Sequence, residues 1–186
     1  MEALEAIVAA VLQNKGFWVR TSVRVKLELP KRRNKSDPRT ELDVVAYRPK
    51  SHEVLVIECK SFLDSRGVQS RAFLNPGDRA KKRYKLFHDL KHWSNVRERL
   101  LQQLELDESH RSEPPKVDLC LAAAHIAGVG EIALKEHFKS NGWQLLGPGW
   151  LKDGLKELAN NDYENDVIIV TAKLLAEKVA QASRKS

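Results

Sequence analysis

Two short apolar segments that also carry acidic and basic side chains constrain the fold of this chain more than any other feature of its sequence. Residues 41–47 and 53–61 are rich in Val, Leu and Ile, and the polar stretch 48–52 between them contains a proline. Apolar runs of this length, bounded by turn residues, are typical of β-strands joined as a hairpin. The sequence therefore predicts two adjacent antiparallel strands with charged side chains at positions where a purely structural strand is apolar.

The rest of the pattern predicts a mixed α/β fold with a central sheet flanked by helices, in the order αβββαβ. The chain opens with apolar residues at helical spacing, and Gly16 ends that helix. Residues 167–170 fit either a strand or the start of a helix, and Asn165-Asp166 as an N-cap favours the helix. The other expected elements are strands at 17–29, 117–123 and 143–146, a long loop at 64–78, and helices at about 79–106, 131–140 and 150–159.

Composition narrows the class of protein. The chain has 186 residues, of which 42% are hydrophobic, so we expect a single domain over residues 1–186. Its apolar runs are far shorter than the ~20 residues that a membrane span needs, so no membrane partner is expected. The N-terminus lacks the basic start of a secretory signal, and Cys59 and Cys120 are too few for a disulfide framework. Together these features predict a cytoplasmic protein.

Positive charge is concentrated in two parts of the chain. The formal net charge is +7; residues 20–50 hold ten basic and four acidic side chains, and residues 79–99 hold eight and two, whereas residues 151–186 hold six of each. Such clustering favours binding of a polyanion such as DNA, although a solvated basic surface is the alternative. The candidate nucleic-acid contacts are Arg32, Arg33, Lys35, Gln69, Arg71, Arg79, Lys82 and Arg83.

The charged residues of the predicted hairpin form a constellation that can carry chemistry. Side chains alternate along a strand, so Glu58 and Lys60 share one face while Cys59 lies on the other. A hairpin brings Asp43 beside them. Two carboxylates in a pocket bind a hard divalent cation through oxygen, with the Cys59 carbonyl as a further ligand. Lys60 can then orient a water molecule and stabilise negative charge in the transition state.

The same residues resemble the signature of the PD-(D/E)XK, or restriction-endonuclease-like, nuclease superfamily. That signature is an Asp at the end of one strand followed by Glu-X-Lys on the next, and Asp43 and Glu58-Cys59-Lys60 match it. The proline that precedes the aspartate in the signature is absent, because Leu42 precedes Asp43 in this chain. The resemblance implies a restriction-endonuclease-like core and a Mg²⁺-dependent nuclease, with Mn²⁺ as a substitute.

The superfamily also places a glutamate on its first helix, in the same cleft. The resemblance assigns this role to Glu5, with Glu2 as the second choice. It implies a catalytic set consisting of Glu5, Asp43, Glu58 and Lys60, and a metal held by Asp43, Glu58, Glu5 and the carbonyl of Cys59.

The function expected from this resemblance is hydrolysis of phosphodiester bonds in DNA by a metal-dependent endonuclease. Cutting two strands needs two sites, which makes a homodimer plausible. The alternative function is a catalytically inactive DNA-binding module with a nuclease fold, or a subunit of a larger DNA-processing assembly. The presence of the complete set of acids and lysine argues against a loss of catalytic activity.

Each candidate residue also has a purely structural interpretation. Asp43 is explained as a turn residue at a strand end, and Glu58 with Lys60 as an exposed ion pair of little energetic worth. Glu5 is explained as an acid that favours the positive end of the helix dipole.

Two further groups are expected to be structural. The apolar neighbours of Cys59 predict a buried, unreactive thiol. His88 and His92 have the i, i+4 spacing of a metal-binding pair, but no third ligand is evident, and a solvated helix face is the favoured interpretation.

Overall fold

A computed structural model describes residues 2–27, 39–104, 113–128, 130–162 and 164–183, with side chains up to residue 176. The predicted mixed α/β fold is observed, with five strands in one sheet and helices on both faces. The strands predicted at 41–47, 53–61 and 117–123 agree with the structure to within two residues at each end. In chain order the elements are α1 (Ala3–Asn14), β1 (Trp18–Lys26), β2 (Arg39–Arg48), β3 (Glu53–Lys60), α2 (Arg71–Leu74), α3 (Asp78–Arg83), α4 (Lys85–His88), α5 (Leu90–Leu104), β4 (Lys116–Ala123), α6 (Gly130–Ser140), β5 (Gln144–Leu146), α7 (Pro148–Asn160) and α8 (Val167–Ser183).

The strands lie in the sheet in their sequence order, β1-β2-β3-β4-β5. The first three form an antiparallel meander, whereas β3, β4 and β5 run parallel to one another. A parallel connection must cross over the sheet, and α2 to α5 make the crossing between β3 and β4. The long segment that leaves the end of β3 therefore has to pass over the face on which Glu58 lies.

Each face of the sheet is covered by its own hydrophobic cluster. Residues of α2, α4, α5 and α6, among them Phe73, Phe87 and Phe138, pack on one face together with Val54 and Val56 of β3. On the other face, apolar residues of α1 and Leu151 of α7 pack against Leu55, Ile57 and Cys59. The central strand β3 is thus buried from both sides, and the predicted alternation of its side chains is confirmed.

The ambiguous segment at 167–170 is helical. Its first turn is capped by the side chain of Asp166, whose Oδ1 accepts hydrogen bonds from the backbone N–H groups of Ile168 at 2.9 Å and Ile169 at 3.1 Å. This is the N-cap role expected of an aspartate at this position. Helix α8 packs on α1 and α7 through a third apolar cluster.

The single helix predicted at about 79–106 is wrong, because the structure divides this segment into α3, α4 and α5. The backbone leaves the helical conformation at Tyr84 and again at Asp89. Asp89 then caps the next helix, since its Oδ1 accepts a hydrogen bond from the N–H of His92 at 2.9 Å. The two breaks let Leu86 and Phe87 enter the core while α5 takes a separate direction.

Candidate active site where two strands separate

Strands β2 and β3 separate at Asp43. Their backbone pairing ends with Val44 and Ile57, and the remaining part of β3 pairs with β4. In place of a β2 backbone acceptor, the carboxylate of Asp43 accepts a hydrogen bond from the N–H of Cys59, with a donor–acceptor distance of 2.7 Å. A side chain thus completes the ladder, and this bond holds the Asp43 carboxylate against the last residues of β3.

A distortion of the neighbouring strand lies opposite Asp43. Pairing between β1 and β2 runs on both sides of Ser22, which has a positive φ of 52°. Before this point Val44 packs on the α1 face of the sheet, but beyond it Leu42 packs on the opposite face. Simple alternation along β2, which would place Leu42 and Val44 on one face, therefore does not hold, because the strand is distorted at the Asp43 position.

Three oxygen-bearing groups surround the ammonium of Lys60. Its Nζ lies 3.0 Å from Oε1 of Glu58, 3.0 Å from the carbonyl oxygen of Cys59 and 3.9 Å from Oδ2 of Asp43. The side chains of Glu58, Lys60 and Asp43 are 12%, 21% and 28% exposed. The interpretation of Glu58 and Lys60 as an exposed ion pair is therefore wrong, and the predicted proximity of all three residues is observed.

Burial shapes the electrostatics of this cluster. Loss of solvent raises the pKa of Glu58, the nearby charge of Asp43 raises it further, and Lys60 opposes both effects. The adjacent positive charge of Lys60 therefore favours the ionised form of the Glu58 carboxylate. A site of this kind favours any cation that its oxygen atoms can reach.

Glu5 lies on the buried side of α1, and Glu2 is exposed. The Glu5 side chain is 7% exposed, and its Oε2 accepts a hydrogen bond from the N–H of Glu2 at 3.1 Å. Its charge contributes to raising the pKa of the Cys59 thiol, which places it on the α1 side of the strand end. Among the described residues, no hydrogen bond or ion pair joins Glu5 to Asp43, Glu58 or Lys60.

The thiol of Cys59 is buried, as predicted. Burial is also the main reason that its pKa is raised, and Asp43 and Glu5 add to the effect. A thiol that stays protonated at neutral pH is a poor nucleophile, so only the backbone of Cys59 takes part in the site.

Asp43 and Glu58 open onto a cleft of about 710 Å³. Two acids on its wall already have partners: Glu41 pairs with Arg24, and Asp89 caps α5. Of the described cationic residues of this cleft, sequence reasoning selected Arg83 alone, although all of them lie in the two basic segments. They are Arg39, Arg83, Lys85 and Lys91.

The predicted nucleic-acid contacts do not all lie together. Four of them, Gln69, Arg71, Arg79 and Arg83, line a second pocket beside the end of β3. Lys82 is exposed on α3 and lines neither cavity. The candidates Arg32, Arg33 and Lys35 lie outside the described residues.

The interpretation of His88 and His92 as one solvated helix face is wrong. They belong to different helices, and both are half-buried. The Nε2 of His88 lies 2.9 Å from the carbonyl oxygen of Ala72, and the Nε2 of His92 lies 3.3 Å from Oγ1 of Thr40. The break at Asp89 separates the two rings.

The oxygen atoms around Lys60 form a small set of potential donors. Within the described ranges, no group of three or more His, Cys, Asp and Glu side chains is arranged to hold a metal ion. Asp43, Glu58 and the Cys59 carbonyl nevertheless offer three oxygen atoms around one cation, the Lys60 ammonium.

In the same described part of the chain, no helix is long and apolar enough to cross a membrane.

The fold and this site define a mixed α/β protein with two carboxylates and an amine at a strand end. No family model and no curated protein matches the chain. The structure is similar to that of AF1548, a protein of unknown function, with a TM-score of 0.45 and 17% identity over 87% of this chain and 71% of that chain.

A second similar structure is protein VC1899 from Vibrio cholerae, with a TM-score of 0.41 and 19% identity. This likeness covers 83% of the present chain and 31% of VC1899. With both TM-scores below 0.5, neither likeness carries a conclusion about this protein.

Proposed function

We propose that this protein is a metal-dependent endonuclease that hydrolyses phosphodiester bonds in DNA, on a restriction-endonuclease-like core. The observation that carries the proposal is the convergence of Asp43, Glu58 and the Cys59 carbonyl around the ammonium of Lys60, all within 4 Å of its nitrogen. The three side chains come from two strands that separate at this point, and two of them, Asp43 and Glu58, line a cleft.

The donor set fits Mg²⁺. Magnesium is usually held by one or two carboxylates, with water and substrate phosphate completing its coordination, so a cluster of three acids is not required. Asp43, Glu58 and the Cys59 carbonyl would hold the ion, and Glu5 would reach it or its water from α1. The Lys60 ammonium marks a position where these oxygens already accept a cation.

Hydrolysis needs an activated water and relief of charge on the phosphate. When bound, a divalent ion lowers the pKa of water and offsets phosphate charge. Lys60 orients the attacking water and stabilises the negative charge that develops as the new phosphorus–oxygen bond forms and the ester bond breaks. The departing oxygen takes up a proton. The Cys59 carbonyl holds the Lys60 amine in place for this task.

The cationic side chains of the cleft support DNA as the substrate. Arg83, Lys85 and Lys91 line the same cleft as Asp43 and Glu58, where they can contact backbone phosphates. Phosphate contacts of this kind position a strand without reading its sequence.

The test is cleavage of supercoiled plasmid in Mg²⁺ by the wild-type protein, Lys60→Ala and Asp43→Asn. Asparagine keeps an oxygen that can accept the hydrogen bond from Cys59, so this variant tests the charge of Asp43 rather than the strand junction. We expect both variants to lose roughly 10²–10³-fold in cleavage rate. Lys81→Ala, an exposed change on α3 that touches neither cavity, is the matched control.

Equal cleavage by all of these proteins would overturn the assignment of the site. Binding of DNA without metal-dependent cleavage would instead support the inactive DNA-binding module. Linear rather than nicked plasmid would indicate two sites acting together, as in a homodimer.

A further inference from the structure

A second pocket, of about 490 Å³, lies beside the end of β3 and is rich in arginine. It is lined by Arg66, Arg71, Arg79 and Arg83, with Phe62 and Tyr84 among the apolar wall residues, and none of the described residues that line it is Asp or Glu. Four guanidinium groups around one concavity repel one another unless an anion is near. Arginine in such a setting suits phosphate, which it can bind through two parallel hydrogen bonds.

The guanidinium groups of this arginine pocket keep their donors available. Within the described part of the chain, none of the four pairs with a carboxylate. Arg71 donates one hydrogen bond, from Nε to Oε1 of Gln69 at 2.6 Å, which orients its remaining donors. Arg83 lies over the ring of Phe62 at 5.4 Å from the centroid. Arg71 and Arg83 are thus oriented by neighbouring side chains but not neutralised.

The loop that forms one side of the arginine pocket is anchored to a distant segment. The N–H of Val68 donates to the carbonyl of His125, and the N–H of Ala127 donates to the carbonyl of Val68, both at 2.9 Å. Gly67, with a φ of 75°, lies so close that a Cβ there would come within 2.9 Å of the His125 carbonyl oxygen. The backbone on this side of the pocket is therefore fixed without a ligand.

The arginine pocket adjoins the carboxylate site. Arg83 lines both cavities. Phe62 follows Lys60 by two residues, and its positive φ of 44° turns the chain away from β3. Tyr84 also lines the arginine pocket. Its pKa is raised to about 12, mainly by burial and further by the charge of Glu58. A strand held at the carboxylates can continue directly into this pocket.

The size of the arginine pocket favours an unpaired nucleotide. Its volume lies within the range of small-ligand sites, which suits one nucleotide and not a base pair with both backbones. A nucleotide of an intact duplex reaches such a pocket only by flipping out, which costs a few kcal/mol, whereas a single-stranded nucleotide enters without that cost. The Arg83 guanidinium offers a flat surface on which a base can stack.

We propose that the arginine pocket binds an unpaired nucleotide of the DNA strand next to the cleaved bond, with its phosphate held by Arg66, Arg71 and Arg79. This inference rests on the proposed nuclease function and narrows it. The preferred substrate has a single-stranded end or branch rather than a continuous blunt duplex.

The test is DNA binding, measured by fluorescence anisotropy in EDTA, where no cleavage occurs. Three labelled ligands share the same base pairs: a blunt duplex, a duplex with a single-stranded 5′-phosphorylated overhang, and the overhang without its terminal phosphate. The proteins are the wild type, the double variant Arg71→Ala/Arg79→Ala, the charge-conserving Arg71→Lys/Arg79→Lys, and the control Lys81→Ala. Thermal unfolding checks that each variant is folded.

We expect the wild type and Lys81→Ala to bind the phosphorylated overhang about tenfold or more tightly than the blunt duplex. The double alanine variant should lose this preference while its affinity for the blunt duplex stays within about twofold. For this variant on the overhang, the slope of log affinity against log salt concentration should be smaller in magnitude by about 1.4, the value for two lost single-strand phosphate contacts. The lysine variant should keep the slope but lose part of the preference, since lysine cannot bind phosphate in a bidentate manner.

Removing the terminal phosphate distinguishes two phosphates as the ligand of the pocket: the one at a strand end and one within the unpaired strand. A loss of affinity assigns the pocket to a strand end, and unchanged affinity assigns it to an internal phosphate of the unpaired strand; both support the inference. Equal wild-type affinity for all three ligands overturns it, as does an equal loss on overhang and blunt duplex in the double alanine variant. If the preference is present but plasmid is never cleaved, the pocket stands and the proposed nuclease function fails.

Discussion

Asp43 performs at the residue level a task that backbone atoms usually perform. Its carboxylate accepts the Cys59 N–H at 2.7 Å, where a β2 carbonyl would otherwise lie. One oxygen is thereby used to join the strands, and the carboxyl group remains beside Lys60. Structure and chemistry are therefore coupled at this residue, and replacing it with alanine would disturb both.

His88 gives a prediction about stability at the residue scale. Its pKa is lowered, mainly by burial, with His137 and Lys81 adding to the effect and the hydrogen bond to Ala72 opposing it. Because the folded pKa lies below the ordinary value of 6.5, the unfolded chain binds more protons as the pH falls below about 7. The free energy of unfolding should therefore decrease from pH 7 down through the folded pKa.

Urea unfolding of the wild type and His88→Gln between pH 7.5 and 5.5 measures this effect. Glutamine can still donate a hydrogen bond to the Ala72 carbonyl but does not titrate in this range. We expect a shallower decrease of stability in the variant. Identical pH dependence in the two proteins would show that His88 does not contribute.

At the scale of elements, close packing of α1 on α7 depends on a glycine. Gly154 is buried in α7, and a Cβ built there would lie 2.5 Å from Cγ1 of Val11, which is fully buried in α1. Valine has a stiff side chain and cannot easily move away. Gly149, in the same helix, is exposed and has no atom within 4 Å of such a Cβ.

The two glycines make a matched pair of substitutions. Gly154→Ala should lower the free energy of unfolding by about 1–2 kcal/mol, because overpacking exceeds the gain in helix propensity. Gly149→Ala should leave it unchanged or raise it by up to about 1 kcal/mol. Chemical denaturation measures both, and a loss of the same size at both positions would contradict the packing argument.

Charge is distributed unevenly over the whole molecule. Lys85 and Lys91 lie on the wall of the carboxylate cleft. Lys139, at the end of α6, and Lys152, in α7, lie outside both that cleft and the arginine pocket. If DNA follows the cleft, only the first pair contacts phosphates.

Salt dependence of DNA binding tests this distribution. Lys85→Ala/Lys91→Ala should reduce the slope of log affinity against log salt concentration by about 1.8 on duplex DNA, since two phosphate contacts are lost. Lys139→Ala/Lys152→Ala removes the same charge and should leave the slope unchanged. Binding titrations in EDTA at several salt concentrations measure both, and equal reductions would indicate attraction by net charge alone.

Local pattern was enough to predict much of the sheet and part of the candidate site. The common face of Glu58 and Lys60, and the opposite face of Cys59, follow from the two-residue repeat of a strand, which covalent geometry imposes. The capping of α8 by Asp166 was likewise predictable from the sequence, because capping involves only neighbouring backbone groups. These features depend on residues close together along the chain.

Other features were decided only by contacts between distant segments. The twist opposite Asp43 requires the positive φ of Ser22 on another strand, and the arginine pocket requires the loop at Gly67 to lie against His125. The division of the predicted long helix at Tyr84 and Asp89 depends on how its three parts meet the core.

The amino-acid order by itself determined which segments form strands and which charges share a face, because those choices depend on local backbone geometry. The tertiary structure alone determined that strands β2 and β3 part at Asp43 and that four arginines surround one pocket. Both of these arise from packing between residues that are far apart in the chain, and no local repeat encodes them.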